Sequence, residues 1–246
     1  MAAPLVGAAR AGRSTLAVAA PRPTLQAVPV FRLFTAAALL ALTACAEVTA
    51  PPLQPPAYDP TQLSGGVVYR WPTGTTVAVY VDPTGVGAGV NLAGATSTGM
   101  ASWKSALGGN QFAFRLAPSP ADADVIVHVS GAPRLVGTAG CDPPVDLAGG
   151  VTFFCPARDS ALTLPLLAGA GPGRVKLDVS INPAATNAIN TLDALVTHEL
   201  GHVVGIGGHS TDAHDVMFAQ PSVSTPSQRD ITVLRWVVRQ PAGIRL

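Results

Sequence analysis

Residues 197–210 read THELGHVVGIGGHS and gather three of the chain's five histidines and one of its two glutamates into fourteen positions. Just upstream, Asn190 or Thr191 can cap a helix through a side-chain oxygen, and Asp193 then falls in the first turn, where the helix dipole favours an acid. Gly205 stands where a left-handed residue would stop that helix. On it, His198 and His202 are four residues apart and stack on one face. Two imidazoles so placed can reach one ion at the roughly 2 Å of a zinc–nitrogen bond. Glu199 is rotated about 100° from His198, beside such an ion without needing to bind it. The bland alternative, a buried helix with incidental polar residues, sits poorly with a chain so poor in histidine and glutamate.

A catalytic zinc takes three protein ligands and keeps one position open. No glutamate follows Glu199, which leaves His209, His214, Asp212 and Asp215 as candidates for the third. His209 is reached across Gly205-Ile206-Gly207-Gly208, whose glycines allow the backbone to reverse. With the set complete, the Glu199 carboxylate can take a proton from a water acidified by the ion and deliver it to a leaving amine, which is the chemistry of carbonyl hydrolysis.

Outward from this helix the chain alternates strand and helix signals. Residues 75–81, TTVAVYV, alternate and are β-branched, and Asp82-Pro83-Thr84-Gly85 ends that strand. Residues 91–107 place Leu92, Ala95, Met100, Trp103 and Leu107 near helical spacing, with Asn91 as N-cap and Gly108-Gly109 as stop. Strands are expected at 112–116, at 124–129 with Val125, Val127 and Val129 on one face, and at 174–181. Residues 131–172 are rich in Gly and Pro and read as irregular, apart from GVTFFC at 150–155, an expected edge strand. A last helix falls in SQRDITVLRWVV, so the plan is α/β (α+β) around one sheet. His128, inside a strand pattern, reads as structural rather than as a ligand. Asp122, Asp124 and Asp178 are candidate calcium ligands, but isolated acids default to solvated or capping roles.

The amino-terminal part carries a different message. Phe31–Val48 has Arg32 ahead of the apolar run Leu33–Ala44, too short to span a bilayer and suited to the core of an export signal. It closes on Leu42-Thr43-Ala44-Cys45, which resembles the lipobox of bacterial lipoproteins and makes Cys45 the expected lipidation site. Residues 1–30 are then surplus to a signal at 31–45, and a mis-assigned or disordered extension with Val28 or Val30 as initiator accounts for them. Residues 46–66 hold many prolines and read as a stiff linker, placing the folded domain at 67–246. Export leaves Cys141 and Cys155 to pair as a disulfide, worth roughly 3 kcal/mol in the chain-entropy account. A net charge of +1 with two lysines excludes an electrostatic grip on nucleic acid. Membrane contact is expected only through the lipid anchor.

Taken together, H-E-x-x-H, the following glycine and His209 resemble the metzincin zinc-peptidase signature, and Ser210 after His209 resembles its matrixin branch. Asp215-Val216-Met217-Phe218 is similar to the Met-turn of that family, which implies Met217 as a hydrophobic floor beneath the metal. The resemblance is strong over 191–239 and diffuse over 67–180. It implies a twisted, mostly parallel sheet with an edge strand, an active-site helix and a C-terminal helix. It further implies one catalytic Zn2+ on His198, His202 and His209, Glu199 as general base, and a peptide or protein substrate cleaved internally by a monomer. The chain carries one residue too many between Gly205 and His209, which the glycine pair can absorb as a bulge, and His214 stays open as substitute ligand. The competing expectation is an envelope lipoprotein binding module whose zinc site serves folding alone.

Overall fold

The chain is described here from a computed structural model covering residues 54–108, 112–130, 134–135, 145–146, 149–155, 176–188 and 190–241. The extension, the export signal, Cys45 and Cys141 lie outside the described residues, and so does the expected Cys141–Cys155 pairing. Among the described residues no helix is long and apolar enough to cross a membrane.

Strand β1 (Thr75–Val81) is followed by α1 (Leu92–Leu107), β2 (Phe112–Leu116) and β3 (Val125–Val129). The cap expected at Asn91 is made: its side chain accepts the Gly94 N–H at 2.9 Å, and Gly108 ends α1 with φ 70°. Within the stretch read as irregular, β4 (Arg134–Leu135) and β5 (Val145–Asp146) form an antiparallel pair too short to show a period. Strand β6 (Gly150–Cys155), β7 (Lys176–Ile181), α2 (Leu192–Val203) and α3 (Gln228–Arg239) complete the chain. The five long strands make one sheet in the order β2-β1-β3-β7-β6, parallel except for β6, which runs antiparallel to β7 at the edge. The expected mixed α/β plan with a mostly parallel sheet is therefore present, and 150–155 is an edge strand.

The period of two in the strands sorts their side chains. Val77, Val79, Val125, Val127, Leu177, Val179 and Ile181 are buried and join the cluster formed with α1 and α2, which contributes Leu92, Ala95, Trp103, Leu195, Val196 and Leu200. Trp103 fixes the crossing of the two helices by donating its indole N–H to the Thr197 carbonyl at 2.7 Å. Helix α3 closes the core with Val233, Leu234 and Val237, and starts in a capping box between Ser227 and Asp230.

The expected boundary near Val67 needs correction. Tyr58 and Thr61 are buried, Tyr58 belongs to the core cluster, and its hydroxyl donates to Asp230 at 2.8 Å. A turn of 3-10 helix at Gln62–Ser64 follows. Proline density suggested a spacer, but one aromatic ring with a polar tip is enough to dock the segment when a buried acceptor awaits it.

Candidate metal centre

Thr191 caps α2 by accepting the Ala194 N–H at 3.2 Å, leaving Asn190 outside the helix. The other end is set by Gly205, at φ 110°, where a Cβ would also come within 2.4 Å of the Tyr69 carbonyl oxygen. The Gly205 N–H bonds the His202 carbonyl and the Ile206 N–H bonds that of Gly201, both at 3.0 Å, which is the Schellman pattern. This turn brings the Ile206 carbonyl back onto the Nδ1–H of His202 at 2.7 Å, so the stop signal of the helix also orients a ring.

His198 is fixed in the same manner from another element. Its Nδ1–H donates to the Val216 carbonyl at 2.8 Å. In both rings Nδ1 is engaged by a backbone carbonyl, which assigns Nε2 as the ligand atom, the usual arrangement for a metal-binding histidine. The ring centroids of His198 and His202 are 4.9 Å apart, and that of His209 lies 5.1 Å from the first and 5.3 Å from the second. One potential ligand atom from each of the three lies within 4.8 Å of the others, and among the described residues this is the group of three that could hold a metal ion. The bend from Gly205 to Gly208 thus leaves the ring of His209 with the other two. His214 is solvent-exposed and bonded to Asp212, away from the trio, so the substitute ligand is set aside. Asp215 is taken up by Ser210, Ser227 and Arg229.

The electrostatics suit a cation. Burial, reinforced by the neighbouring His202, holds His198 well below the usual imidazole range, and burial lowers His209 too. Neutral imidazole is the form that ligates. The donor set therefore fits a divalent metal of the nitrogen-preferring kind, although its identity is not fixed by three imidazoles.

Glu199 lies beside the trio and is buried, with its carboxyl pushed up to about 8 by desolvation and pulled back in part by a hydrogen bond from Thr152. Thr152 Oγ1 is 2.9 Å from Glu199 Oε2 and 3.0 Å from the Glu199 carbonyl oxygen. At Gly150 a Cβ would come within 2.7 Å of Oε1, so the edge strand passes in contact with this carboxyl group. Sequence reading missed Thr152; a hydroxyl in an edge strand carries no signal until the strand is placed against the helix. No family model and no curated protein matches this chain. Its site is read from its own residues.

Met217 is fully buried beneath α2, where a Cβ on Gly201 would meet its sulfur at 2.2 Å. The turn that carries it is held by Asp230, which accepts from the Val216 N–H at 2.8 Å, the Ser227 N–H at 3.0 Å and the Tyr58 hydroxyl at 2.8 Å. Burial and that carboxylate raise the Tyr58 phenol far above its ordinary range, so it stays a donor. His128 bonds Asp178, which agrees with a structural role. The calcium candidates are corrected accordingly: Asp124 accepts the Ala78 N–H, Asp122 accepts the Ser119 hydroxyl and Asp178 faces His128, so they do not converge on one point. An open cleft of about 890 Å³ runs past the histidines, with Glu199, Thr152, Leu195 and Pro221 in its lining.

Proposed function

We propose that this chain is a zinc-dependent endopeptidase of the matrixin-like metzincin kind. The observation that carries the reading is Glu199: a buried carboxyl group set beside three convergent imidazoles, facing an open cleft and steadied by a hydroxyl of the sheet edge. A zinc site that served folding alone would have no use for it, since structural sites are closed by four protein ligands.

His198 and His202 would hold zinc through Nε2, and His209 through a ring nitrogen. So bound, the ion would supply Lewis acidity toward a water and the scissile carbonyl. Glu199 takes a proton on its carboxylate and later gives it to the leaving amine, while the Thr152 hydroxyl keeps Oε2 oriented. Nearby positive charge favours the carboxylate form that this role needs. Among the described residues no strand pairs with β6 on its outer side, and an extended peptide laid along it would pass Glu199. Peptide recognition by strand addition therefore belongs to the proposal, as does export with a lipid on Cys45.

The full chain, loaded with zinc, is expected to cleave an unstructured protein, and Glu199→Gln to lose about 10²- to 10⁴-fold in rate while keeping its zinc. Equal cleavage by both proteins removes the mechanism. Metabolic labelling with a fatty acid, lost in Cys45→Ala, tests the anchor.

A further inference from the structure

Among the described residues no hydrogen bond fixes the ring of His209, in contrast to His198 and His202. Its place is set by its backbone, which follows two glycines with wide conformational freedom. On its far side that backbone is held by the Ser210 N–H, which donates to the Met217 carbonyl at 2.8 Å, and on its glycine side by the segment Asp59–Ser64. The Leu63 N–H donates to the Gly207 carbonyl at 2.6 Å, and the His209 N–H points to Gln62 Oε1 at 3.4 Å. Gly208 lies so close that a Cβ would come within 1.9 Å of the Asp59 carbonyl oxygen, so only glycine permits the contact.

The segment is itself well tied. Asp59 Oδ1 accepts from the Thr61 N–H at 2.8 Å and the Thr61 hydroxyl at 2.7 Å. The Ser64 hydroxyl reaches the Val67 carbonyl at 2.6 Å. The buried Tyr58, on Asp230, pins its start to α3. We propose that Asp59–Ser64 is a strap that positions His209 for the metal, a role that rests on the reading of the trio as a metal site. A free glycine bend would hold the third imidazole in place only part of the time, and apparent affinity falls by that fraction. The strap meets this ordering requirement before the ion arrives. It also explains how the chain accommodates its extra residue: the bulge at Gly207 and Gly208 has a backbone to lean on.

Two variants of the full chain test this. Leu63→Pro removes the N–H that bonds Gly207, and Gln62→Ala removes an exposed side chain whose loss does not threaten folding. Zinc affinity is measured by competition with a chromogenic chelator, and metal-free melting temperature is recorded alongside. The expected result is a zinc Kd raised about tenfold or more in Leu63→Pro, and by a smaller factor in Gln62→Ala, with the metal-free melting temperature of Gln62→Ala unchanged. Should Leu63→Pro fail to fold, Gln62→Ala decides. Unchanged zinc affinity in the folded variants overturns the strap while leaving the trio standing; a parent chain that binds no zinc overturns both. Cleavage by Glu199→Gln is a separate readout, so loss of the hydrolytic reading would not be confused with loss of this one.

Discussion

Replacing Gly201 by alanine tests how tightly the floor of the site is built. In an exposed helix this change stabilises by about 1 kcal/mol, because glycine has more backbone freedom to lose. Here the new Cβ would sit 2.2 Å from the Met217 sulfur and 2.8 Å from Trp103 Cζ2. Both side chains are fully buried, and the indole is tethered to the Thr197 carbonyl, so Met217 must move. Methionine adapts, but overfilling a packed core still costs about 1–3 kcal/mol. With that cost toward its upper half, the net expectation is a loss of about 1–2 kcal/mol, or about 2–8 °C in melting temperature for a domain of this size. The displacement also reaches the histidine trio, since Val216, next to Met217, holds the His198 ring. Zinc affinity should fall about tenfold, as for other losses of an outer-shell partner. Differential scanning calorimetry of the metal-free proteins and a chelator competition supply both numbers. A Gly201→Ala protein as stable as the parent, with equal zinc affinity, would refute the close packing of Met217 under the helix.

Asp230→Ala leaves the buried Val216 N–H and Tyr58 hydroxyl, and the half-buried Ser227 N–H, without their acceptor; at about 1–3 kcal/mol for each of the two buried orphans, a loss of at least about 2 kcal/mol is expected by urea unfolding. A loss below about 1 kcal/mol would show that water or rearrangement replaces it. Gly150→Ala places a Cβ 2.7 Å from Glu199 Oε1, so cleavage should drop on the order of 10²-fold with zinc content unchanged, and normal turnover would contradict the contact. The His128 pair gives a pH signature. Burial lowers its pKa, but the hydrogen bond and charge of Asp178 outweigh that and raise it above the unfolded value. The pair's contribution is therefore complete below about pH 6.5 and is lost as pH rises through the folded pKa. The stability gap between parent and His128→Gln should be wider at pH 5.5 than at pH 8; a gap that widens toward alkaline pH would reverse the assignment.

How much of this was legible beforehand differs by element. Strands with strict alternation, such as 75–81 and 112–116, and the helix opened by Asn91 could be bounded almost to the residue, because period and caps are local. The same holds for α2, where four-residue spacing alone stacks His198 over His202. The short β4–β5 pair, the docked Tyr58 and the Thr152 hydroxyl were illegible. Each depends on a partner far away in the chain: Asp230 lies 172 residues from Tyr58, and Glu199 lies 47 from Thr152.

By itself, then, the sequence determined the strands, the helices and a two-histidine face with a glutamate at its side, since spacing along a regular backbone dictates which groups share a face. It narrowed the third ligand to a few candidates, with His209 ahead of His214. The fold brings His209 to the other two imidazoles and leaves His214 exposed beside Asp212. Ring placement beyond a glycine bend follows from what the bend leans on, and here Asp59–Ser64, more than a hundred residues upstream, packs on its glycines while the Met217 carbonyl takes the Ser210 N–H just after the ring. Only the fold also set the edge strand against Glu199 and Met217 beneath the helix, because contact between distant segments is written in no local period.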